Sequence, residues 1–206
     1  MGLTGNIGCG KSTVVAMLAQ RGAHVLDADQ VTRTVMAVGQ PAYQRIVATF
    51  GDQILEAPGG PIDRSALGRI VFADRQALQQ LEAIVHPATR EQIMSWINER
   101  NAVAATAAHR QVVVVDAIRL IEAGYPALCD AVWVVTCEER EQLRRLVEDR
   151  GMTEADARQR IAAQPPQHTK VAVADVVIDN SGMLEHTERQ VEQAWQAVQA
   201  ELSLLL

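Results

Sequence analysis

Apolar residues fall along the chain in two patterns: short unbroken runs, and longer stretches in which they recur every three or four positions. The short runs are Met1 to Thr4, His24 to Asp27, Val112 to Asp116, Val132 to Thr136 and Val176 to Ile178. VVVV at 112–115 and VWVV at 132–135 carry no polar interruption, the mark of strands covered on both faces by helices. Helical spacing fills the rest. Val14, Met17 and Leu18 share a face of 13–21, and Tyr43, Ile46, Val47 and Phe50 share one of 41–50. Further helices are predicted over Ser65 to Phe72, Arg75 to Val85, Pro87 to Ala107 and Leu184 to Leu202, the last with Val191, Trp195, Val198 and Leu202 on one side. Strands alternating with helices predict an α/β fold with a five-stranded parallel sheet.

Two connections are too long for simple crossovers, and each reads as an insertion. Residues 29–110 contain only helical pattern, broken by a surface turn at Gly51 to Pro61, and form a helical subdomain suited to a second substrate. Residues 138–170 form the second insertion. There the charged run Glu138 to Arg150 is closed by Gly151, Thr153 to Asp156 resembles a capping box opening Glu154 to Ala163, and Pro165-Pro166 ends that helix. The division expected is therefore a nucleotide-binding core of 1–28, 111–137 and 171–206, a helical acceptor domain of 29–110, and a lid of 138–170. A charged hairpin is also what a solvated surface looks like; its place opposite the loop described next favours a mobile lid.

Composition narrows the partners. Aromatics make up only 3% of the chain, so the core must be built from Val, Leu, Ile and Ala. With 19 Lys and Arg against 25 Asp and Glu, the net charge of -6 argues against a nucleic-acid partner and for a small-molecule protein. No apolar run approaches the roughly 18 residues of a membrane span, and no charged-then-apolar leader opens the chain, so no membrane partner and a cytoplasmic location are expected. Cys9, Cys129 and Cys137 are odd in number and lack metal-ligand spacing, which implies free thiols. Oligomeric state is not encoded legibly, and a monomer is compatible with all of this.

The chemistry is concentrated at the start of the chain. Gly5 to Ser12 read GNIGCGKS, matching the phosphate-loop pattern G-x-x-x-x-G-K-S/T between the end of a strand and the start of a helix. Glycines allow the backbone to wrap a phosphate with its N–H groups inward, and the helix N-terminus adds to the anion site. Lys11 would reach the β- and γ-phosphates of a nucleoside triphosphate, and Ser12 would face Mg²⁺. Asp116 closes the apolar run VVVV in the form that often supports Mg²⁺, and a simple strand-end cap is its alternative. Asp27-Ala28-Asp29 ends the second strand, where catalytic groups gather in open parallel sheets. A carboxylate at Asp29 would accept the proton of an attacking hydroxyl; an N-cap to a helix starting at Gln30 is the plainer role. Cys9 sits among loop amides that would lower its thiol pKa. His86, before Pro87, reads as a helix-start cap rather than a catalytic group.

TGNIGCGKST, the DAD at 27–29, Phe50-Gly51, IVF at 70–72, His86-Pro87, RIAAQ at 160–164 and ADVVIDNSG at 174–182 together resemble the dephospho-coenzyme A kinase family. The resemblance spans nearly the whole chain, and its later motifs are more specific than the loop. It implies a P-loop kinase core with a helical substrate-binding insertion and a helical lid. The reaction implied is ATP- and Mg²⁺-dependent phosphorylation of the ribose 3′-hydroxyl of dephospho-coenzyme A, the last step of coenzyme A synthesis. Another small-molecule or nucleoside monophosphate kinase of the same fold is the alternative. By matching position, Asp29 would be the general base, Lys11 and Ser12 would serve the phosphates and Mg²⁺, and Gly8, Cys9, Gly10, Lys11, Ser12 and Thr13 would hold ATP. The resemblance also implies lid arginines closing on the triphosphate, with Arg145, Arg150 and Arg160 as candidates. Asp149 departs from the pattern, standing where the family commonly has a basic residue, so Arg150 would take that role; Arg119 stands where a proline is more familiar.

Overall fold

The structure is a computed structural model that describes residues 1–106 and 111–204. Five strands are present: β1 (Gly2–Gly5), β2 (His24–Asp27), β3 (Val113–Asp116), β4 (Val132–Thr136) and β5 (Val176–Asp179). They form one sheet in the order β2-β3-β1-β4-β5, with β1 parallel to β3 and β4, and β4 parallel to β5. Central placement of β1 accounts for its short, wholly buried sequence, and it aims the loop that follows at the carboxyl end of the sheet. Gly5 pairs with Val135, and a Cβ at Gly5 would stand 2.6 Å from the Val135 carbonyl oxygen, so no other residue fits where the strand turns into the loop.

Helices α1 (Lys11–Gln20) and α9 (Leu184–Leu204) pack together against the sheet. Val14, Met17 and Leu18 of α1 meet Val191 and Trp195 of α9 in one buried cluster with Leu3, Trp133 and Ile178. The expected aliphatic core is observed, with Trp133 fully buried as its largest member.

The chain divides into two compact units: Met1–Leu26 with Arg100–Leu206, and Asp27–Glu99. The second unit carries α2 (Ala28–Val35), α3 (Pro41–Phe50), α4 (Arg64–Ala73) and most of α5 (Arg75–Thr106). One expectation fails here. Pro87 does not begin a new helix but lies inside α5, which runs through 32 residues. Proline removes one backbone donor, a cost of about 3 kcal/mol; burial of Ile84, Val85 and Ile93 on either side of it offsets that cost. Ala107, given as the end of that helix, lies outside the described residues.

In the first unit the second insertion folds as α6 (Glu139–Arg144), a π-helical turn (Arg145–Asp149), α7 (Glu154–Ala162) and α8 (Gln167–Val171). Thr153 caps α7 as its sequence predicts, accepting from the Asp156 N–H at 3.1 Å and donating to its carboxylate at 2.7 Å. The π turn, which periodicity gives no sign of, widens the helix where it meets the phosphate loop.

Candidate active site

The loop between β1 and α1 takes the shape that its glycines permit. Gly8 and Gly10 have φ of 78° and 80°, left-handed values that residues with a Cβ avoid, and Gly10 caps the N-terminus of α1. Crowding adds to the demand at Gly10, where a Cβ would lie 2.1 Å from Asn180 Nδ2. The loop is thus held closely by its surroundings before any phosphate arrives. Asn180 donates to the Cys9 carbonyl at 2.8 Å, and its own Oδ1 accepts from Thr187 at 2.8 Å, which fixes the orientation of the amide. That amide is buried, and it ties the loop to the end of β5 and the start of α9.

A cleft of about 290 Å³ opens beside the loop, with Gly8, Gly10, Ser12 and Thr13 along one side. Across it stand Arg145, Asp149, Arg150 and Asn180. Of the three candidate lid arginines, the structure brings two to the cleft. Arg145 is already engaged: its guanidinium donates to Glu141 at 2.9 Å, to the Gly8 carbonyl at 3.4 Å and to the Asn180 carbonyl at 2.7 Å. Its position steadies the loop as well as facing the cleft. Arg150, following the π turn, is exposed at the cleft. Arg160 lies on the exposed side of α7 and does not line the cleft.

Lys11 and Asp116 form an ion pair at the carboxyl ends of adjacent strands β1 and β3, with side chains only 15% and 12% exposed. Asp116 thus carries an ion pair as well as ending β3. The pair sets a cation beside a carboxylate, and Ser12 adds a hydroxyl on the cleft side. Mg²⁺ in phosphoryl transfer uses one or two protein oxygens together with phosphates and water, so Ser12 and Asp116 are a donor set that fits it. Among the described residues, no group of three or more His, Cys, Asp or Glu is arranged to hold a metal by itself.

Asp29 lies half-buried in the first turn of α2, in the Asp27–Glu99 unit. It is not the cap of that helix. Asp27 is, accepting from the Gln30 N–H at 3.0 Å, so the plainer role given for Asp29 belongs to its neighbour two residues earlier. The same helix-cap reading fails for His86, which is interior to α5. Arg119 is exposed in the first unit, with its charge near that of Lys170.

Cys9 has a thiol pKa lowered to about 7. The main cause is a hydrogen bond from the Cys137 thiol, opposed by burial and aided by the Gln142 amide, 2.9 Å away, with backbone donors contributing less. The direction expected from the sequence is right, but side chains rather than loop amides dominate it. Cys137 is pushed up by the same contact and by burial. Both thiols are buried.

Several residues around the loop were given no role from the sequence. Gln164 and Asn180 stand in the quoted RIAAQ and ADVVIDNSG segments without an assigned contact, and Gln142, Gln167 and Lys170 were not singled out; all five bond to the loop or to the strands beneath it. Lys170 is 2% exposed, and its ammonium donates to the Ile118 carbonyl at 2.5 Å and Thr4 Oγ1 at 3.4 Å, with Glu122 at 3.8 Å. Burial lowers its pKa. A glutamine or lysine in a polar stretch carries no periodic signal; only long-range packing reveals its partner.

The chain is similar to known proteins over most of its length. A family model described as dephospho-CoA kinase matches residues 1–186. A dephospho-CoA kinase of Geobacter sulfurreducens is 45% identical over 195 residues, covering 95% of this chain and 96% of its own. One from Thermobifida fusca is 43% identical over 202 residues, covering 98% and 97%. Among solved structures, TT1252 from Thermus thermophilus is 32% identical with a TM-score of 0.78, covering 98% of this chain and 96% of its own. A Campylobacter jejuni dephospho-CoA kinase shares the fold at a TM-score of 0.69.

Proposed function

The chain belongs to the dephospho-CoA kinase family and is a kinase that phosphorylates dephospho-CoA with ATP in coenzyme A biosynthesis; from this premise we propose which of its residues carry the reaction and how. The phosphate loop takes the triphosphate of ATP through the backbone N–H groups of Gly8 to Thr13, with Cys9 contributing its backbone and not its thiol. Lys11 leaves Asp116 for the β- and γ-phosphates as they enter, and so gives up its hold on the Asp116 carboxylate. Mg²⁺, held there by Ser12 and Asp116 when bound, would neutralise charge that builds on the β- and γ-oxygens. The observation that carries this reading is the Lys11 to Asp116 pair beside a cleft lined by the loop.

The helical unit Asp27–Glu99 is proposed to bind the acceptor, and Asp29 to accept the proton of its ribose 3′-hydroxyl as the oxygen attacks the γ-phosphorus. Support for the base comes from its place just beyond the carboxyl end of β2, and from the capping of α2 falling to Asp27 instead. Arg150, with Arg145 behind it, is proposed to close on the triphosphate from the 138–170 segment, where a planar guanidinium suits phosphate oxygens. A cytoplasmic site of action belongs to the same proposal and rests on ATP as the donor. No helix among the described residues is long and apolar enough to cross a membrane.

The test is turnover with an acceptor panel: dephospho-CoA, nucleoside monophosphates and shikimate-like alcohols, each with ATP and Mg²⁺. Formation of coenzyme A and ADP from dephospho-CoA alone is expected. Turnover of a different acceptor with none of dephospho-CoA would assign the helical unit to another small molecule.

A further inference from the structure

The phosphate loop and the strand that feeds it make a row of bonds to a single short stretch of chain, residues 164–170, made of the turn after α7 and most of α8. Asn6 donates from Nδ2 to the Pro165 carbonyl at 3.0 Å. The Ile7 N–H donates to Gln164 Oε1 at 2.8 Å. Cys9 Sγ lies 3.2 Å from Gln167 Oε1, and Gln167 also bridges the Cys137 backbone, accepting from its N–H and donating to its carbonyl at 3.3 Å each. Lys170 completes the series at Thr4. Residues 4, 6, 7 and 9 are thus bonded to four residues, 164, 165, 167 and 170, within a seven-residue stretch just after α7.

One of these bonds differs in kind. The Ile7 N–H is a main-chain donor of the loop, and its bond to Gln164 holds one side of the peptide that joins Asn6 to Ile7 and leads into Gly8, while the Asn6 carbonyl on the other side accepts from the Cys9 N–H at 3.2 Å within the loop itself. Beside it, the Asn6 side chain is 8% exposed and ties the loop to the same stretch through its bond to the Pro165 carbonyl. Gln164 is half-buried, lies outside the cleft lining, and is the last residue before Pro165-Pro166, whose restricted backbone transmits its position.

We propose that Gln164 is a positioning residue for phosphoryl transfer, latching the entrance of the phosphate loop to the turn after α7 within the 138–170 segment. The inference rests on the reading of this cleft as the ATP site. Phosphoryl transfer depends on placement of the donor phosphates, and misplacement by about 1 Å costs as much as 10²-fold in rate. Without the acceptor at 164, the Asn6–Ile7 peptide keeps only its bond within the loop, from the Cys9 N–H, and loses its tie to the chain after α7, so ATP is held less well and less productively.

Gln164→Met keeps the length of the side chain and removes the acceptor, while Gln164→Ala removes both; the site is half-buried, so neither leaves a core cavity. Steady-state kinetics are expected to show KM for ATP raised and kcat lowered, with kcat/KM for ATP down about 10- to 100-fold in both. A residue that only props the fold would lower the active fraction, reducing kcat with KM for ATP unmoved, and that result would overturn the proposal, as would kcat/KM within about twofold of wild type. Hydrogen exchange on the nucleotide-free wild-type protein tests the bond independently of any variant. The Ile7 amide is expected to exchange at least about 10-fold more slowly than an unprotected loop amide, and unprotected exchange overturns the latch. Wild-type turnover of dephospho-CoA is measured alongside: its absence would count against the function assigned to the site, not against the latch.

Discussion

Lys11 and Asp29 make different promises that a pair of substitutions separates. Lys11→Ala removes the cation that meets the β- and γ-phosphates and takes an ion-pair partner from Asp116, so ATP affinity and kcat should both collapse. Asp29→Asn keeps the shape and removes the base, and kcat should fall by about 10²-fold or more while ATP binding, followed by calorimetry, stays within about twofold. Near-normal kcat in that variant would remove Asp29 from the mechanism. The arginines divide by place: Arg150→Ala should lower kcat by about 10²-fold, whereas Arg160→Ala, outside the cleft, should leave it within about threefold. Equal losses would mean that α7 reaches the triphosphate during turnover. The sequence singled out Arg150 only through its place beside Asp149 and left Arg145 and Arg160 as further candidates, because spacing does not say which way a π turn points a side chain.

At the scale of elements, the loop between β1 and α1 is the most constrained segment of the chain. Gly10→Ala would impose a left-handed φ on a residue with a Cβ, at about 1–2 kcal/mol, and drive that Cβ against Asn180. The expected result is a Tm lower by roughly 2–8 °C and ATP affinity weakened by more than about 10-fold, read by thermal melt and titration. An unchanged affinity would show that the Asn180 contact does not shape the anion site. Strands and most helices were legible because burial leaves an unmistakable period. Helix α5 was not, since a proline signals a missing donor but not whether flanking burial outweighs it. His86 was misread with it, because its role followed from the boundary.

Across the whole molecule, buried Lys170 links α8, the end of β1 and the turn after β3. Its folded pKa is lowered by burial from the ordinary 10.5, so the native state binds the proton less tightly than the unfolded chain. Stability contributed by this group therefore rises with pH across the window from the folded pKa up to 10.5, and is absent below that window. Lys170→Met should cost about 1–3 kcal/mol at neutral pH, through the Ile118 carbonyl and Glu122 left without their cation. Thermal melts from about pH 7 to 10 should show the gap between variant and wild type changing in favour of wild type as pH rises. A gap independent of pH would mean that the lysine has the same pKa in both states.

What the sequence determined by itself was whatever depends on local pattern. The valine runs require strands buried on both faces, and glycines followed by Lys11 and Ser12 require a phosphate loop at a helix start. Tertiary structure alone decided which groups meet. It paired Lys11 with Asp116 across 105 residues, gave the cap of α2 to Asp27, and set Asn180, Gln164 and Lys170 around a loop more than 150 residues away in the chain. The physical reason is that periodicity records burial, which each residue carries in its own side chain. A hydrogen bond needs a partner at about 3 Å, and only the folded sheet, by placing β1 between β3 and β4, brings such partners within reach.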